Sequence, residues 1–129
     1  MTLPEKILAL RRLPVLADLS DGELAVLAEA SEERRFAAGE QVCAAGRLPA
    51  GLLFVCAGTV TDGRGRDEGA AAGVAALLFD RPPDPALVAG PAGALGLQIT
   101  RSDLFTLVRQ CPAFVVGLLA AEPAAPALP

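Results

Sequence analysis

The sequence contains no His, Trp, Tyr or Asn in its 129 residues. Without His, it lacks the side chain that most often serves as a general base near neutral pH and as a transition-metal ligand. Nucleophilic sites that pair Ser or Cys with His are therefore excluded. Without Trp and Tyr, the chain also lacks the aromatic side chains best suited to stacking on nucleic-acid bases.

Cysteine is scarce and widely spaced. Cys43, Cys56 and Cys111 form an odd set without a C-x-x-C pair. This spacing provides neither a disulfide framework nor a zinc signature. We expect three reduced thiols that are buried in the core.

The chain also lacks an excess of basic charge and long apolar runs. Its net charge of −4 would repel the phosphates of DNA or RNA, so we expect no nucleic-acid partner. Mean hydropathy is +0.47, yet no apolar run approaches the about 18 residues of a spanning helix. The first residues do not resemble a signal peptide. We therefore expect a cytoplasmic protein without membrane insertion.

Adjacent carboxylates are the remaining candidates for acid–base chemistry. They are Glu32 with Glu33 and Asp67 with Glu68, both in charged, turn-like sequence. Such pairs are typical of solvated surface, because ionised side chains are seldom buried without partners. We therefore predict no enzymatic activity and no cofactor.

The length fits one domain with a single core. We place this domain at residues 1–121, and we expect the tail at residues 122–129 to be disordered or linker-like because it is rich in Pro and Ala. No internal repeat is visible.

Four helices are predicted from periodicity and capping signals, and the segment from Gly73 to Phe79 is a candidate for a further small helix. The second is the clearest, because Ser20 is followed three residues later by Glu23, which is a capping-box pattern. For the helix from Asp103 to Gln110, Ser102 is the expected N-cap and Pro112 the expected break. The predicted helices are Glu5 to Arg12, Asp21 to Ala30, Asp103 to Gln110 and Ala113 to Ala121.

Short strands are predicted between the second and third of these helices. The apolar run from Leu52 to Ala57 is closed by Gly58 before T-V-T, which predicts two short strands. Leu87 to Ala89 and Leu95 to Ile99 are predicted as two more strands around a G-P-A-G turn.

The segment from Gly73 to Ala89 reads G-V-A-A-L-L-F-D-R-P-P-D-P-A-L-V-A. It resembles the phosphate-binding cassette of cyclic-nucleotide-binding domains, which runs approximately F-G-E-x-A-L-L-x-x-x-P-R-x-A-T-V-x-A. Val74 stands where that pattern has Glu, and Pro83 stands where it has Arg. The segment keeps the spacing of the cassette pattern but lacks the charged side chains of its Glu and its Arg.

Four further segments resemble the same family in the same order. They are Leu10 to Ala28, Phe36 to Gly46, Leu52 to Val60 and Ile99 to Pro112. The resemblance implies a mainly β fold, an antiparallel double-stranded β-roll of jelly-roll type with N-terminal helices and short C-terminal helices. The segment between Val60 and Gly73 is shorter than is usual in the family, so a strand is expected to be shortened or lost.

The resemblance also implies where a ligand would lie. The remnant cassette comprises Gly73, Val74, Ala75, Arg81, Pro82, Pro83 and Ala86. In the family, Arg and backbone N–H groups hold the cyclic phosphate while Glu accepts from the ribose. Val74 cannot accept a hydrogen bond and Pro83 carries no charge, so binding of cAMP or cGMP is not expected. Arg81 is the alternative cation, displaced along the chain by about 6 to 7 Å from the position of Pro83.

Two functional hypotheses follow. The first is a regulatory or protein-interaction module whose nucleotide site is degenerate. The second is a sensor that binds a small molecule or cyclic nucleotide through an altered pocket. For the first, candidate surfaces for a protein partner or a homodimer are the apolar segment Ala113 to Ala121, which could instead pack on its own roll, and an open sheet edge near Gly63 to Gly69.

Overall fold

The computed structural model describes residues 1–62, 64–83 and 86–121, with side chains up to residue 118. Gly63 and the predicted tail at residues 122–129 lie outside the described residues. The elements in chain order are α1 (Leu3–Arg11), α2 (Asp21–Ala30), β1 (Glu32–Phe36), β2 (Gln41–Cys43), β3 (Gly51–Thr61), β4 (Ala71–Ala72), α3 (Val74–Leu78), β5 (Leu87–Thr100), α4 (Arg101–Gln110) and α5 (Pro112–Ala121).

Capping boxes begin both N-terminal helices. In α2, the predicted bounds are confirmed, and Ser20 and Glu23 cap each other's backbone N–H groups. In α1, Thr2 and Glu5 form the same arrangement, so the helix begins at Leu3, two residues before the predicted start. The cap at Thr2 was not predicted from the sequence. A short 3-10 turn at Pro14–Leu16 then leads into α2.

One antiparallel sheet contains all five strands. Its order is β1-β5-β3-β4, with β2 pairing to a separate part of β5. β3 and β5 are therefore central, and the remaining strands wrap around them. This sheet with its flanking helices is the predicted mainly β roll.

The two longest strands correct the predicted breaks. Gly58 does not end a strand, because β3 continues from Gly51 to Thr61 with shifts of register on either side of Gly58. The G-P-A-G segment is likewise no turn, because β5 runs without interruption from Leu87 to Thr100. Both Gly58 (φ 73°) and Gly93 (φ 76°) adopt left-handed backbone within the strands. Glycine marks a bulge here, which bends a strand without ending it.

The C-terminal helices begin one to two residues earlier than predicted. The side chain of Thr100, rather than that of Ser102, accepts from the Asp103 N–H, so α4 begins at Arg101. α5 begins with Pro112, which suits a first helical position because Pro has no N–H to leave unpaired. Pro112 therefore starts α5 as well as separating it from α4.

Two clusters of buried side chains lie on the two faces of the central sheet. Leu52 and Phe54 belong to the cluster beneath the helices, and Leu53 and Val55 belong to the one inside the roll. Because successive residues of a strand point to opposite faces, β3 is buried on both sides, which explains its unbroken apolar run. Cys43, Cys56 and Cys111 are free thiols, of which Cys56 is only half-buried.

The segment between β3 and β4 forms a tight, polar turn. Asp62 Oδ1 accepts from the backbone N–H groups of Arg64 and Arg66, both at 2.9 Å. β4 is only two residues long and pairs with Leu53 and Phe54. The strand expected to be shortened is thus present in a minimal form, and the described part of the predicted open edge is held by local bonds.

Candidate ligand pocket at the cassette

Gly73 sets the geometry of the cassette. Its backbone is left-handed, with φ 91°, and it immediately precedes the short helix α3. A Cβ at this position would lie 3.2 Å from Cγ of Pro49, so the approach to the β2–β3 loop is close as well. Glycine is therefore favoured by the left-handed backbone conformation, and the space for a side chain is tight.

A cavity of about 170 Å³ opens beside Gly73. Its lining combines apolar groups from α3 and β5 with three charged side chains from the flanking loops. The lining residues are Asp62, Glu68, Gly73, Ala75, Ala76, Arg81, Pro83 and Leu87.

Four of the seven predicted site residues line this cavity. They are Gly73, Ala75, Arg81 and Pro83. Arg81 is exposed, and its backbone N–H donates to the carbonyl of Ala76 at 3.1 Å. The chain therefore turns back directly after α3, which brings the segment containing Arg81 to the mouth of the cavity.

The other three predicted site residues do not line the cavity. Val74 is 2% exposed and packs in the core beneath the helices. Pro82 is exposed, and Ala86 is half-buried away from the lining. Pro83 is in the lining and also has a structural role, because its carbonyl accepts from the Gly46 N–H at 2.9 Å. The cassette is thereby joined to the turn after β2.

Two carboxylates in the lining were not among the predicted site residues. Glu68 was predicted to be solvated surface, but it is half-buried, and its Oε1 accepts from the Gly73 N–H at 3.4 Å. Asp62 is also half-buried and lines the same cavity. The sequence offered only a weak signal, namely acidic residues in a Gly-rich loop a few positions before the cassette glycine. The fold of that loop, rather than its composition, brings the carboxylates to the cavity.

The charges in the lining are unbalanced. Asp62 and Glu68 contribute two carboxylates, and Arg81 contributes one guanidinium. An anion entering this cavity would meet a net negative lining, and like charges repel more strongly in a confined site than in bulk water. The lining favours neutral or cationic groups over a phosphate.

The thiols of Cys43 and Cys56 lie outside the cavity lining. Burial raises the pKa of the Cys43 and Cys56 thiols, so these groups remain protonated and poorly nucleophilic. Within residues 1–62, 64–83 and 86–121, no group of three His, Cys, Asp or Glu side chains could hold a metal ion. In the same part of the chain, no helix has the length and apolar character needed to span a bilayer.

Comparison with sequences identifies no relative: no protein-family model matches the chain, and no curated protein matches it at a significant level.

Comparison with solved structures does give matches. A protein from Geobacter metallireducens GS-15, described as cyclic nucleotide-binding, has a TM-score of 0.73 at 20% identity, over 94% of this chain and 96% of its own. The regulatory domain of Toxoplasma gondii protein kinase A with cAMP has a TM-score of 0.72 at 17% identity, over 88% of this chain and 47% of its own.

A third neighbour contains a different ligand. The regulatory subunit of a cAMP-independent protein kinase A from Trypanosoma cruzi, bound to guanosine, has a TM-score of 0.71 at 22% identity, over 94% of this chain. The present chain spans about half the length of both kinase regulatory chains, 47% and 46%. These three neighbours are described as binding or regulatory proteins, not as catalytic ones.

Proposed function

Because the chain has the fold of cyclic-nucleotide-binding regulatory domains, we propose that it is a regulatory or protein-interaction module that does not bind cAMP or cGMP in the usual way. The observation that carries this proposal is the cavity lining, which includes two acidic residues, Asp62 and Glu68, and one basic residue, Arg81. Pro83, which occupies the position that the family resemblance gives to Arg, supplies neither charge nor N–H.

The size of the cavity supports the same proposal. Its volume of about 170 Å³ is close to the about 150 Å³ of an engineered cavity that holds benzene. Pockets that enclose whole ligands occupy about 300 to 1,000 Å³. The cavity volume accommodates a group of about one ring, and a complete nucleotide would extend beyond it through the open side.

The energetic cost of the substitutions points in the same direction. A hydrogen bond to a charged group contributes about 1.5 to 3 kcal/mol. The change from Arg to Pro removes a bidentate partner for the phosphate, and the change from Glu to Val removes an acceptor for the ribose. Together these losses would weaken binding by at least about two powers of ten.

Isothermal titration calorimetry with cAMP and with cGMP tests this proposal on the purified chain. We expect no saturable heat at micromolar to submillimolar ligand. Thermal unfolding in the presence of each nucleotide provides a second readout, and we expect an unchanged midpoint. Saturable micromolar binding of either nucleotide would overturn the proposal.

The exposed side of α5 is the contact surface that we assign to the module. Phe114 and Leu118 are buried in the core, whereas Val116 on the same helix is 65% exposed. Gly117 fits tightly against the Val15 carbonyl, which fixes the face that α5 turns inward. The helix therefore packs on its own domain along one side and presents Ala113 and Val116 on the other.

A second copy of the chain is the partner proposed for this side. Light scattering over a range of concentrations should show a dimer, and Val116→Lys should shift it to monomer without changing the unfolding midpoint. A monomer at every concentration contradicts the homodimer. The polar turn after β3 is the less favoured surface for a partner. The backbone N–H groups of Arg64 and Arg66 in this turn already donate to the Asp62 carboxylate.

A sensor for an uncharged ligand is the second candidate function. The observation in its favour is that the cavity is open, with Ala75, Ala76 and Leu87 as apolar lining. A neighbour with this fold was bound to guanosine, which has no phosphate. Calorimetry with guanosine and adenosine separates the two candidates, since saturable binding of either nucleoside favours the sensor.

A further inference from the structure

We propose that Glu68 is the specificity-determining residue of the cassette cavity, and that its carboxylate excludes ligands bearing a phosphate group. This inference rests on the proposed function and adds, to the two missing cassette side chains, a side chain that repels phosphate. Glu68 lies outside the cassette segment and comes from the turn between β3 and β4. It is a feature of this chain's shortened loop.

The contact of Glu68 with the cassette is direct. Its Oε1 accepts from the Gly73 N–H at 3.4 Å, and the side chain is half-buried in the cavity lining. The backbone donor next to the cavity is thus already occupied by an internal anion. A phosphate oxygen that sought the same donor would have to displace a carboxylate tethered to the protein.

Two hydrogen bonds of backbone N–H groups fix the loop on which Glu68 stands. The Glu68 N–H donates to the Val60 carbonyl at 2.8 Å, which attaches the residue to β3. The next residue, Gly69, donates to Asp67 Oδ1 at 2.7 Å. Because the residue is anchored to a central strand, an entering anion cannot relieve the repulsion simply by moving the loop aside.

The carboxylate of Asp62, the other one in the lining, accepts hydrogen bonds within its own turn. Its Oδ1 accepts two backbone N–H groups of its own turn, those of Arg64 and Arg66. These bonds hold the Asp62 carboxylate on its own turn. Arg81 is the cation in the lining that an anion could meet once Glu68 is neutral.

The variant Glu68→Gln tests the inference, since it keeps the shape and hydrogen-bonding capacity of the side chain and removes its charge. Inorganic phosphate and cAMP are the two probes, because both present a phosphate oxyanion but differ in size. Relative to wild type, we expect at least about tenfold tighter binding of inorganic phosphate, because like charges in one site disfavour each other strongly. If the variant also binds cAMP more tightly than wild type, the cavity opens to the nucleoside. If only the affinity for inorganic phosphate increases, the anion binds in the cavity without such opening. Either gain supports the inference.

Asp67→Asn is the matched control. It makes the same change of net charge at the adjacent residue, whose side chain is exposed and outside the cavity lining. We expect no gain of phosphate binding from Asp67→Asn. We also expect the double variant Glu68→Gln with Arg81→Ala to lose the gain, because the guanidinium is then missing. Equal behaviour of Glu68→Gln and Asp67→Asn, or no gain in Glu68→Gln, overturns the inference.

The Gly73 amide resonance in nuclear magnetic resonance spectra gives a readout that does not depend on affinity alone. Phosphate should shift this resonance in Glu68→Gln and leave it unchanged in wild type. Glu68→Ala serves as a second variant if Glu68→Gln unfolds, and it should show the same gain. Micromolar binding of cAMP to wild type overturns the proposed function. If wild type does not bind cAMP and neither Glu68 variant binds phosphate more tightly than wild type, this inference alone is overturned.

Discussion

The thiol of Cys111 donates a hydrogen bond to the carboxylate of Glu23, with Sγ 2.7 Å from Oε2, across 88 positions of the chain. The other oxygen of Glu23 accepts from the Ser20 N–H at 2.8 Å and so completes the cap of α2. One carboxylate therefore both caps α2 and ties it to the junction of α4 and α5. The bond with Cys111 is the main reason why the pKa of Glu23 is lowered and that of Cys111 is raised.

The first prediction concerns the pH dependence of stability. The pKa of Glu23 is lower in the folded state. Its contribution to the free energy of unfolding is therefore fully present above its unfolded pKa of about 4.3. This contribution is lost as the pH falls through the folded pKa. The Cys111 thiol has a raised folded pKa, so its contribution is present below its unfolded value and is lost as the pH rises through the folded one. Cys111→Ala should lower the free energy of unfolding near neutral pH, with a smaller difference from wild type at both pH extremes. Urea unfolding across pH measures this.

The control for this prediction is Cys111→Ser, which replaces the thiol with a smaller hydroxyl group that can still donate a hydrogen bond. It should lose less stability than Cys111→Ala near neutral pH. A constant difference between Cys111→Ala and wild type at every pH would contradict the predicted role of the Glu23 bond.

The second prediction concerns the start of α4. Thr100→Ala removes the side chain that accepts from the Asp103 N–H, and loss of an N-cap costs about 1 kcal/mol. Ser102→Ala, two residues later in the first turn, should change the free energy of unfolding by less than about 0.5 kcal/mol. Chemical unfolding of both variants provides the measurement. A larger loss from Ser102→Ala would place the cap where the sequence first suggested.

The third prediction concerns the bulge in β3. Gly58 has φ 73°, and a Cβ there would overlap the Gly93 carbonyl oxygen on β5. Gly39 has almost the same φ, 74°, with no atom within 4 Å of the added Cβ. Gly39→Ala should therefore cost about 1 to 2 kcal/mol from backbone strain alone. Gly58→Ala should cost about 1 to 3 kcal/mol more because the strands must shift. Equal costs in thermal unfolding would argue against the close approach of β3 and β5.

The fourth prediction separates the two sides of α5. Phe114 is 1% exposed, and its ring centroid lies 6.3 Å from that of Phe54. Phe114→Ala should lower the free energy of unfolding by about 3 to 5 kcal/mol, as large core truncations do. Val116→Ala should change it by less than about 0.5 kcal/mol at low protein concentration. A large cost for Val116→Ala in dilute monomer would mean that this side is covered by the domain itself.

Sequence reasoning succeeded where the signal lies in consecutive residues. The capping box of Ser20 and Glu23 fixed the start of α2, because a cap and the first helical turn are read from neighbouring positions. It failed at Gly58 and at the G-P-A-G segment. A glycine that ends a strand and a glycine that bends one look the same until the partner strand is known.

The cassette shows the same division within one site. The sequence alone determined that Val74 and Pro83 lack the charges of the resembling motif, because residue identity is sufficient for that conclusion. It could not determine that Val74 points into the core or that Arg81 and Glu68 meet at one cavity. Side-chain direction and loop path depend on packing with distant segments.

Taken by itself, the sequence determined the cap of α2 and the missing cassette charges, since each is read from local order, and the motifs that resemble the family indicated the class of fold. The tertiary structure decided the continuity of β3 and β5, the pairing of Cys111 with Glu23 and the placement of Glu68 against Gly73. Each of these depends on register or on loop closure, which bring together groups from separate elements of the fold. The physical reason is that burial and strand pairing are properties of the folded chain as a whole.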